Sequence, residues 1–414
     1  MASPPRVVVV GASLAGLRTA EAVLALLPEA AVTIVGDEPH VPYNRPPLSK
    51  EAIQALLGPA PDALEATFDK LVLKSRLPAT GVTWRLGTRA EAVRATERQL
   101  VLSDGGTLAY DWLVAATGLR PRRLPCEGGE DRRHVLRTFD DAVRLAARMR
   151  PGVRVLVVGG GFIGMEFAAT ALGLGCAVTV VEPMVWPMVG ALGPRVAPAM
   201  AAFHRRNGVD LRLGVGVRSL LEGDAAVTAI LSDSIAIEAD VVVEAVGSLP
   251  NVEWLRDAGL DLGDGVLCDD RMVAVGAERI LAVGDVARFP NALFGGAPRR
   301  VEHWCVPGQT AKRAAETIAA AEHGRPLPAV PFAPMPSFWS DQHGLRLQAY
   351  GAPALADTAE VLSGDLSRVG EVPCLVEYRR AGVPVGILGL GVGPGPLTAH
   401  RVRLEHGLAP AVPA

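Results

Sequence analysis

The stretch Arg154-Val155-Leu156-Val157-Val158-Gly159-Gly160-Gly161-Phe162-Ile163-Gly164 decides the architecture. Its first five residues, mostly β-branched, read as a strand buried on both faces of a parallel sheet. A strict G-x-G-x-x-G follows at once through Gly159, Gly161 and Gly164. A helical pattern runs through Met165 to about Leu174, and Gly175 is placed as its C-terminal stop. Ala177 to Val181 is the next apolar run, and Glu182 ends it. This is a β-α-β unit. Its glycine turn and helix N-terminus gather backbone N–H groups that can hold a pyrophosphate. The acid after the second strand can accept hydrogen bonds from a ribose diol. With 45 glycines in 414 residues, a lone motif of this kind arises by chance roughly half the time. The flanking strand, helix and acid therefore carry the argument.

The same unit recurs near the N-terminus. Arg6 to Val10 is an apolar strand, Gly11-Ala12-Ser13-Leu14-Ala15-Gly16 is the turn, and a helix runs from Ala15 to about Leu27, where Pro28 stops it. A second strand, Ala31 to Val35, leads to Gly36 and Asp37, 26 residues after Gly11. Ser13 replaces the middle glycine and is small enough to keep the close approach. Two dinucleotide sites in one chain point to two dinucleotides that exchange electrons, with FAD and a nicotinamide nucleotide as the leading pair. Glu182 bears on which nicotinamide. A carboxylate there bonds a 2′-hydroxyl and repels a 2′-phosphate, and residues 183–188 contain no Arg or Lys to offset it. NADH is expected over NADPH.

Composition sets the frame around these units. A chain of 414 residues holds about two or three domains. Apolar residues at 49% and charged residues at 21% exclude disorder as the main state. A formal net charge of −3 argues against nucleic acid or an anionic membrane as partner. The longest uncharged stretch, Ala381 to Ala399, contains nine Gly or Pro and would break a spanning helix repeatedly. The N-terminal apolar run is better explained by its nucleotide motif than as a signal peptide, and a cytoplasmic protein is expected. The five cysteines, Cys126, Cys176, Cys268, Cys305 and Cys374, form no C-x-x-C, so neither a disulfide framework nor a metal site is expected.

Further segments carry a resemblance. Pro42-Tyr43-Asn44-Arg45-Pro46-Pro47-Leu48-Ser49-Lys50 comes first, then Ala116-Thr117-Gly118 with Pro121-Arg122, and Leu136-Arg137-Thr138. Gly161-Phe162-Ile163-Gly164-Met165-Glu166, Val283-Gly284-Asp285-Val286-Ala287, Val301-Glu302-His303-Trp304 and Phe338-Trp339-Ser340-Asp341-Gln342 follow in order. In this order they resemble FAD-dependent ferredoxin reductases of the putidaredoxin reductase and rubredoxin reductase type, to which apoptosis-inducing factor is related. The resemblance covers nearly the whole chain.

It implies an α/β fold with two Rossmann-like dinucleotide-binding domains and a smaller α+β C-terminal domain. The FAD domain would be split over residues 1–122 and 248–326, the NAD domain would span 123–247, and the C-terminal domain 327–414. The residues agree. Arg120-Pro121-Arg122-Arg123 and Gly247-Ser248-Leu249-Pro250 read as crossings, the run Asp240 to Val246 reads as a strand, and five prolines between 326 and 336 mark a linker. Thr138 reads as a helix cap, with Ala142, Leu145, Ala146 and Met149 on one face.

The resemblance also implies residue roles. Gly11, Ser13, Ala15 and Gly16 would surround the FAD pyrophosphate, with Asp37 on the ribose and Arg45, Arg122 and Arg137 as contacting arginines. Val93 matches a position near the adenine, Asp285 would accept from the ribityl hydroxyls, and Trp304 and Trp339 would lie beside the isoalloxazine. Gly159, Gly161, Ile163, Gly164, Glu182, Gly247 and Glu302 would contact the nicotinamide nucleotide. Lys50 and Glu166 would meet near flavin N5 as the catalytic pair, the ammonium stabilising an anion and the carboxylate keeping the lysine charged. The implied activity is hydride transfer from NADH to FAD, then single-electron transfer to a ferredoxin-type iron–sulfur protein that serves a haem-thiolate or other oxygenase.

One segment departs from the family. After Trp304 the family has x-Asn-Ala-x-x-Gln-Gly, whereas this chain reads Cys305-Val306-Pro307-Gly308-Gln309-Thr310-Ala311, with Thr310 at the glutamine position. The segment should open a helix beside the flavin. The scaffold admits two other functions. A disulfide or peroxide reductase needs a redox cysteine near the flavin, and only Cys305 is so placed. A redox-sensing interaction protein is the third reading. For the ferredoxin reading, Arg299, Arg300, Lys312 and Arg313 are expected to form part of a basic docking face. The oligomeric state is not legible.

Overall fold

A computed structural model of the chain describes residues 3–78, 81–327 and 330–408. The strand Arg6–Val10 buries its last four side chains because it lies in the middle of a five-stranded sheet. The order is Ile280–Ala282, Trp112–Ala115, Arg6–Val10, Ala31–Val35, Val82–Arg85, and all pairings are parallel. A central parallel strand faces packed layers on both sides, which is why its sequence is a continuous apolar run. The helices Leu14–Leu26 and Val306–Glu322 pack on each other over this sheet. Strands from before residue 116 and after residue 279 thus share one sheet and one core.

The second sheet is built entirely between residues 133 and 244, in the order Asp210–Leu213, Ala177–Glu182, Arg154–Val158, Val241–Glu244, Arg133–His134, again all parallel. The chain passes between the two sheets at Leu119–Pro121 and Ser248–Pro250. These strands pair antiparallel, with Ser248 opposite Pro121. The third sheet is antiparallel: Ser337–Gln342, Leu345–Gly351, Val383–Leu390, Cys374–Arg380, Thr358–Ser363. The helix Pro394–Leu408 lies on it through Leu397 and Leu404. Its core is continuous with that of the second sheet.

Some boundaries differ from the sequence reading. The helix expected from Met165 is Phe162–Gly173, because the chain enters helical geometry directly from Gly161. The strand expected over 240–246 is Val241–Glu244. It stops because Ala245 runs against the glycine turn, where a Cβ on Gly159 would lie 2.3 Å from the Ala245 carbonyl oxygen. Thr138 does cap a helix, Phe139–Ala146. Its side chain accepts from Asp141 N–H, and the Asp141 side chain accepts from Thr138 N–H in a capping box. Met149 lies past that helix but remains buried. The helix Val189–Arg206 was not anticipated; Pro194 and Pro198 hid it, and Gly193 at φ 72° breaks it near its start. All five cysteines are unpaired thiols. Among the described residues no helix is long and apolar enough to cross a membrane.

Candidate active site

Both glycine turns open onto one cavity of about 1260 Å³ between the three sheets. At the first turn, Gly11 has φ +124°, and a Cβ there would lie 2.1 Å from the Ala116 carbonyl oxygen. A Cβ on Gly16 would lie 1.8 Å from the Gly11 carbonyl oxygen. Glycine is required because strand, turn and neighbouring strand approach backbone to backbone. Gly11, Ser13, Ala15 and Asp37 line the cavity, whereas Gly16 sits beneath the turn and acts by permitting the approach. The second turn repeats the construction: a Cβ on Gly164 would lie 2.1 Å from the Gly159 carbonyl oxygen. Gly161 and Ile163 line the cavity. Glu182 stands behind the turn, accepting from Gly160 N–H and Met184 N–H at 2.7 Å each.

The cavity holds a cluster of charges around Arg45 and Arg137. Arg45 Nη1 donates to the Arg137 carbonyl at 2.8 Å, and its guanidinium is ion-paired with Glu38. Tyr43 braces this corner by donating to Glu38 and accepting from Phe139 N–H. Among the described residues, the one carboxylate within 4 Å of the Arg137 guanidinium is that of Asp285, at 3.9 Å. Burial and the Arg45 charge pull Arg137 below the ordinary guanidinium range. Burial pushes Asp285 up to about 6, with Arg137 opposing. A half-buried guanidinium whose one carboxylate lies beyond hydrogen-bond distance is short of negative charge. An anionic ligand such as a pyrophosphate would supply it. The donor set and the glycine cradle therefore fit FAD.

Toward the centre, Lys50 Nζ lies 2.7 Å from Glu166 Oε2. Ser49 donates to the same oxygen at 2.6 Å, and Ser340 donates to Glu166 Oε1 at 2.6 Å. The pair joins the loop before the helix Glu51–Leu56 to the helix Phe162–Gly173, and both side chains line the cavity. Trp304 and Trp339 meet edge to face at 5.8 Å, with Trp304 Nε1 donating to Asn44 at 3.0 Å. Glu302 accepts from Ser248 and pairs with Arg300 at 2.7 Å. Gly247, at φ +97°, completes this wall. His303 is half-buried against Phe338, and desolvation pushes it down to about 4.

Beyond Gly16, Gly159, Gly164 and Glu182, which shape or back the glycine turns, two of the expected residues lie away from the cavity. Val93 is buried in the core with its side chain turned inward, and Thr88, Arg89, Ala90 and Glu91 line the cavity instead. Arg122 is exposed because the strand ends at Pro121. Among the described residues only its backbone is engaged, donating to the Gly247 carbonyl. Arg120 faces the cavity in its place and is paired with Glu253. Ser49, Ser340, Tyr43, Asn44 and Glu38 are site residues that the sequence reading did not assign. Four of the five lie inside segments already quoted, so their signal was position within a motif.

The divergent segment opens the helix Val306–Glu322 as expected, and of residues 305–311 only Pro307 lines the cavity. Thr310 is fully buried. It accepts from Gly284 N–H at 2.9 Å and donates to the Val306 carbonyl, so it ties down the turn that carries Asp285. Cys305 accepts from Ser337 N–H at 3.3 Å and does not line the cavity, as packing rather than thiol chemistry would have it.

The basic docking face is corrected at Arg313. Its side chain is 8% exposed, donates to the Asp270 carbonyl at 2.9 Å and reaches the Asp270 carboxylate at 3.7 Å. A helix turns 100° per residue, so Lys312 points to solvent while Arg313 points inward. Arg313→Glu is therefore expected to destabilise the fold by about 3 kcal/mol. It should lower ferredoxin and dye reduction in parallel. Thermal melting together with the two rates at low salt checks this.

The family described as pyridine nucleotide-disulphide oxidoreductase matches residues 5–321. The chain is 37% identical over 365 residues to the ferredoxin–NAD(+) reductase component of the anthranilate 1,2-dioxygenase system of Burkholderia cepacia, covering 87% of this chain and 85% of that protein. It is 34% identical over 354 residues to putidaredoxin reductase of Pseudomonas putida, covering 83% and 80%. The structure superposes on the covalent putidaredoxin reductase–putidaredoxin complex with a TM-score of 0.87 at 29% identity, covering 98% of this chain and 94% of that one. With two glycine turns, a buried Lys–Glu pair and an aromatic wall around one cavity, the chain belongs to the pyridine nucleotide-disulphide oxidoreductase family, on its putidaredoxin reductase side.

Proposed function

We propose that this chain is an NADH-dependent, FAD-containing ferredoxin reductase that supplies electrons to an oxygenase through a ferredoxin-type iron–sulfur protein. The observation that carries the reading is the Lys50–Glu166 pair, set between two dinucleotide turns that share one cavity. Bound FAD supplies the exchange between a two-electron hydride donor and one-electron acceptors. The chain's own residues bind and orient. The split unit, residues 1–122 and 248–326, would hold FAD, with Arg45, Arg137 and the Gly11–Gly16 turn on the pyrophosphate. Asp37 would take the ribose and Asp285 the ribityl chain. The unit 123–247 would hold NADH on the Gly159–Gly164 turn. Glu182 retains lone pairs for a 2′-hydroxyl beside the two N–H groups it already accepts. Lys50 would stabilise negative charge gained by the ring, with Glu166 holding its ammonium in place. The sheet of residues 337–390 would close the site through Trp339.

Steady-state oxidation of NADH and NADPH by the flavin-loaded protein tests the reading. The acceptors are ferricyanide, a [2Fe–2S] ferredoxin coupled to cytochrome c, a disulfide and oxygen. NADH is expected to exceed NADPH in kcat/KM by about tenfold or more, the carboxylate–phosphate repulsion being worth at least ~1.4 kcal/mol. Ferredoxin-dependent cytochrome c reduction should be fast and disulfide reduction absent. Disulfide turnover abolished by Cys305→Ala would overturn the reading. Ferricyanide reduction without ferredoxin reduction would favour the redox sensor.

A further inference from the structure

Glu166 has a second polar surround that hydride transfer does not use. Its Oε2 takes Lys50 and Ser49, while its Oε1 faces the C-terminal sheet and accepts from Ser340 Oγ at 2.6 Å. The bonds continue outward. Gln342 Nε2 donates to Ser340 Oγ at 2.9 Å, Gln342 Oε1 meets His204 Nε2 at 2.7 Å, and His204 Nδ1 meets His343 Nε2 at 3.1 Å. The chemistry of each group fixes the direction. An amide oxygen only accepts, so His204 carries its proton on Nε2. Its Nδ1 then accepts, so His343 donates. An amide nitrogen only donates, which leaves the Ser340 hydroxyl proton for the carboxylate. Every N–H and O–H on the path points toward Glu166.

The path is buried where it counts: His204 and Ser340 are 0% exposed and Gln342 is 1% exposed. Burial pushes His204 down to about 4, so it is neutral near pH 7 and carries the single ring proton the path requires. The outer end opens on a cleft of about 310 Å³ lined by Phe203, His343, Gly370 and Glu371. His343 has φ +49° and Gly344 φ +78°, the two-residue turn between the strands Ser337–Gln342 and Leu345–Gly351. Such a turn favours Asn or Asp at its first position. Histidine there gives up backbone comfort for a side chain that reaches His204.

We infer that Ser340, Gln342, His204 and His343 are positioning residues for the redox pair: a line of aligned donors that seats Glu166 with Oε2 on Lys50 and adds positive potential at the flavin. The amide in the middle cannot hand a proton on, so the line transmits a field, not protons. It also joins three elements from two units at one carboxylate. His204 lies on the helix Val189–Arg206, Gln342 on the C-terminal sheet and Glu166 on the helix after the second glycine turn. How the C-terminal sheet seats therefore tunes the flavin. The inference rests on the reading that Lys50 and Glu166 border the flavin.

The test is the flavin midpoint potential of the FAD-loaded protein at pH 7, measured spectroelectrochemically. Ser340→Ala is expected to disfavour the two-electron reduced form about tenfold, which is ~30 mV more negative. Gln342→Leu should shift it about fivefold and His343→Ala about twofold, the effect fading along the aligned dipoles. Ser340→Thr keeps the hydroxyl and should restore the parent potential, which a purely packing role would not do. If Ser340→Ala fails to retain FAD, Gln342→Leu and the rim variant His343→Ala carry the same test. Unchanged potentials in these variants, or a Thr variant that shifts as far as Ala, overturn the inference. Lys50→Met separates the two readings. A shift there with none along the line overturns the line alone. No shift in any variant overturns the placement of the pair beside the flavin, and the line with it.

Discussion

Lys50→Met is expected to slow reduction of the bound flavin by NADH about 10²-fold, the usual scale for removing one preorganised charge from a reacting centre. Lys50 and Glu166 are 14% and 8% exposed in their side chains and 2.7 Å apart. Removing the lysine leaves a carboxylate that, among the described residues, only Ser49 and Ser340 still satisfy. The uncompensated buried charge should cost about 3 kcal/mol of stability. The double variant Lys50→Met with Glu166→Gln removes both charges and should regain most of that stability while recovering none of the rate. Rapid-mixing reduction at saturating NADH and denaturant unfolding of both variants check the two halves. A double variant that recovers rate with stability would place the pair in the scaffold and outside the chemistry.

Asp285→Asn is expected to loosen FAD and to tighten the fold of the FAD-free protein. Two lost charge-assisted hydrogen bonds at about 1.5 kcal/mol each would weaken FAD binding roughly 10²-fold. The stability change has the opposite sign. Burial raises the Asp285 carboxyl from 3.8 to about 6, so the folded chain holds its proton more tightly than the unfolded chain. Stability from this group is present below pH 4 and is lost as the pH rises through 6. Above pH 6 the buried charge costs up to about 3 kcal/mol, which the asparagine does not incur. The variant's advantage in unfolding free energy should open between pH 4 and pH 6 and stay level above. Equal stability of the two proteins at pH 7.5 would show that water or Arg137 already relieves the carboxylate. The opposition of binding and stability is what a ligand site held in a strained electrostatic state produces.

Much of the site was legible because its residues sit at turns where one side-chain type alone serves. Gly11 and Gly159 adopt positive φ under a carbonyl oxygen little more than 2 Å from where a Cβ would stand, so the motif itself reports the contact. Asp37 and Glu182 follow strands whose ends the apolar runs mark. Val93, Arg122 and Arg313 fared differently. Each was placed by its position along the chain, yet where a side chain points depends on what packs over it. Val93 turns into the core, Arg122 leaves the strand and Arg313 is caught by the Asp270 carbonyl. The apolar pattern at Ala311, Ala314, Ala315 and Ile318 was available to show that Arg313 borders a buried face.

The Lys–Glu pair was legible only through the resemblance of its two segments, whereas the amino-acid sequence alone determined the two dinucleotide units, each a strand, a glycine turn, a helix and a second strand ended by an acid. These depend on local rules: alternation and run length select the strand, and a missing Cβ selects the turn. Tertiary structure decided what meets Glu166. Ser49 lies 117 residues before it and Ser340 174 residues after it, and both hydroxyls reach the one carboxylate. His204 and Gln342, 138 residues apart, extend that contact to the surface. No periodicity encodes such pairings. They arise when three sheets close on one cavity and each buried polar group must take the partner that folding delivers.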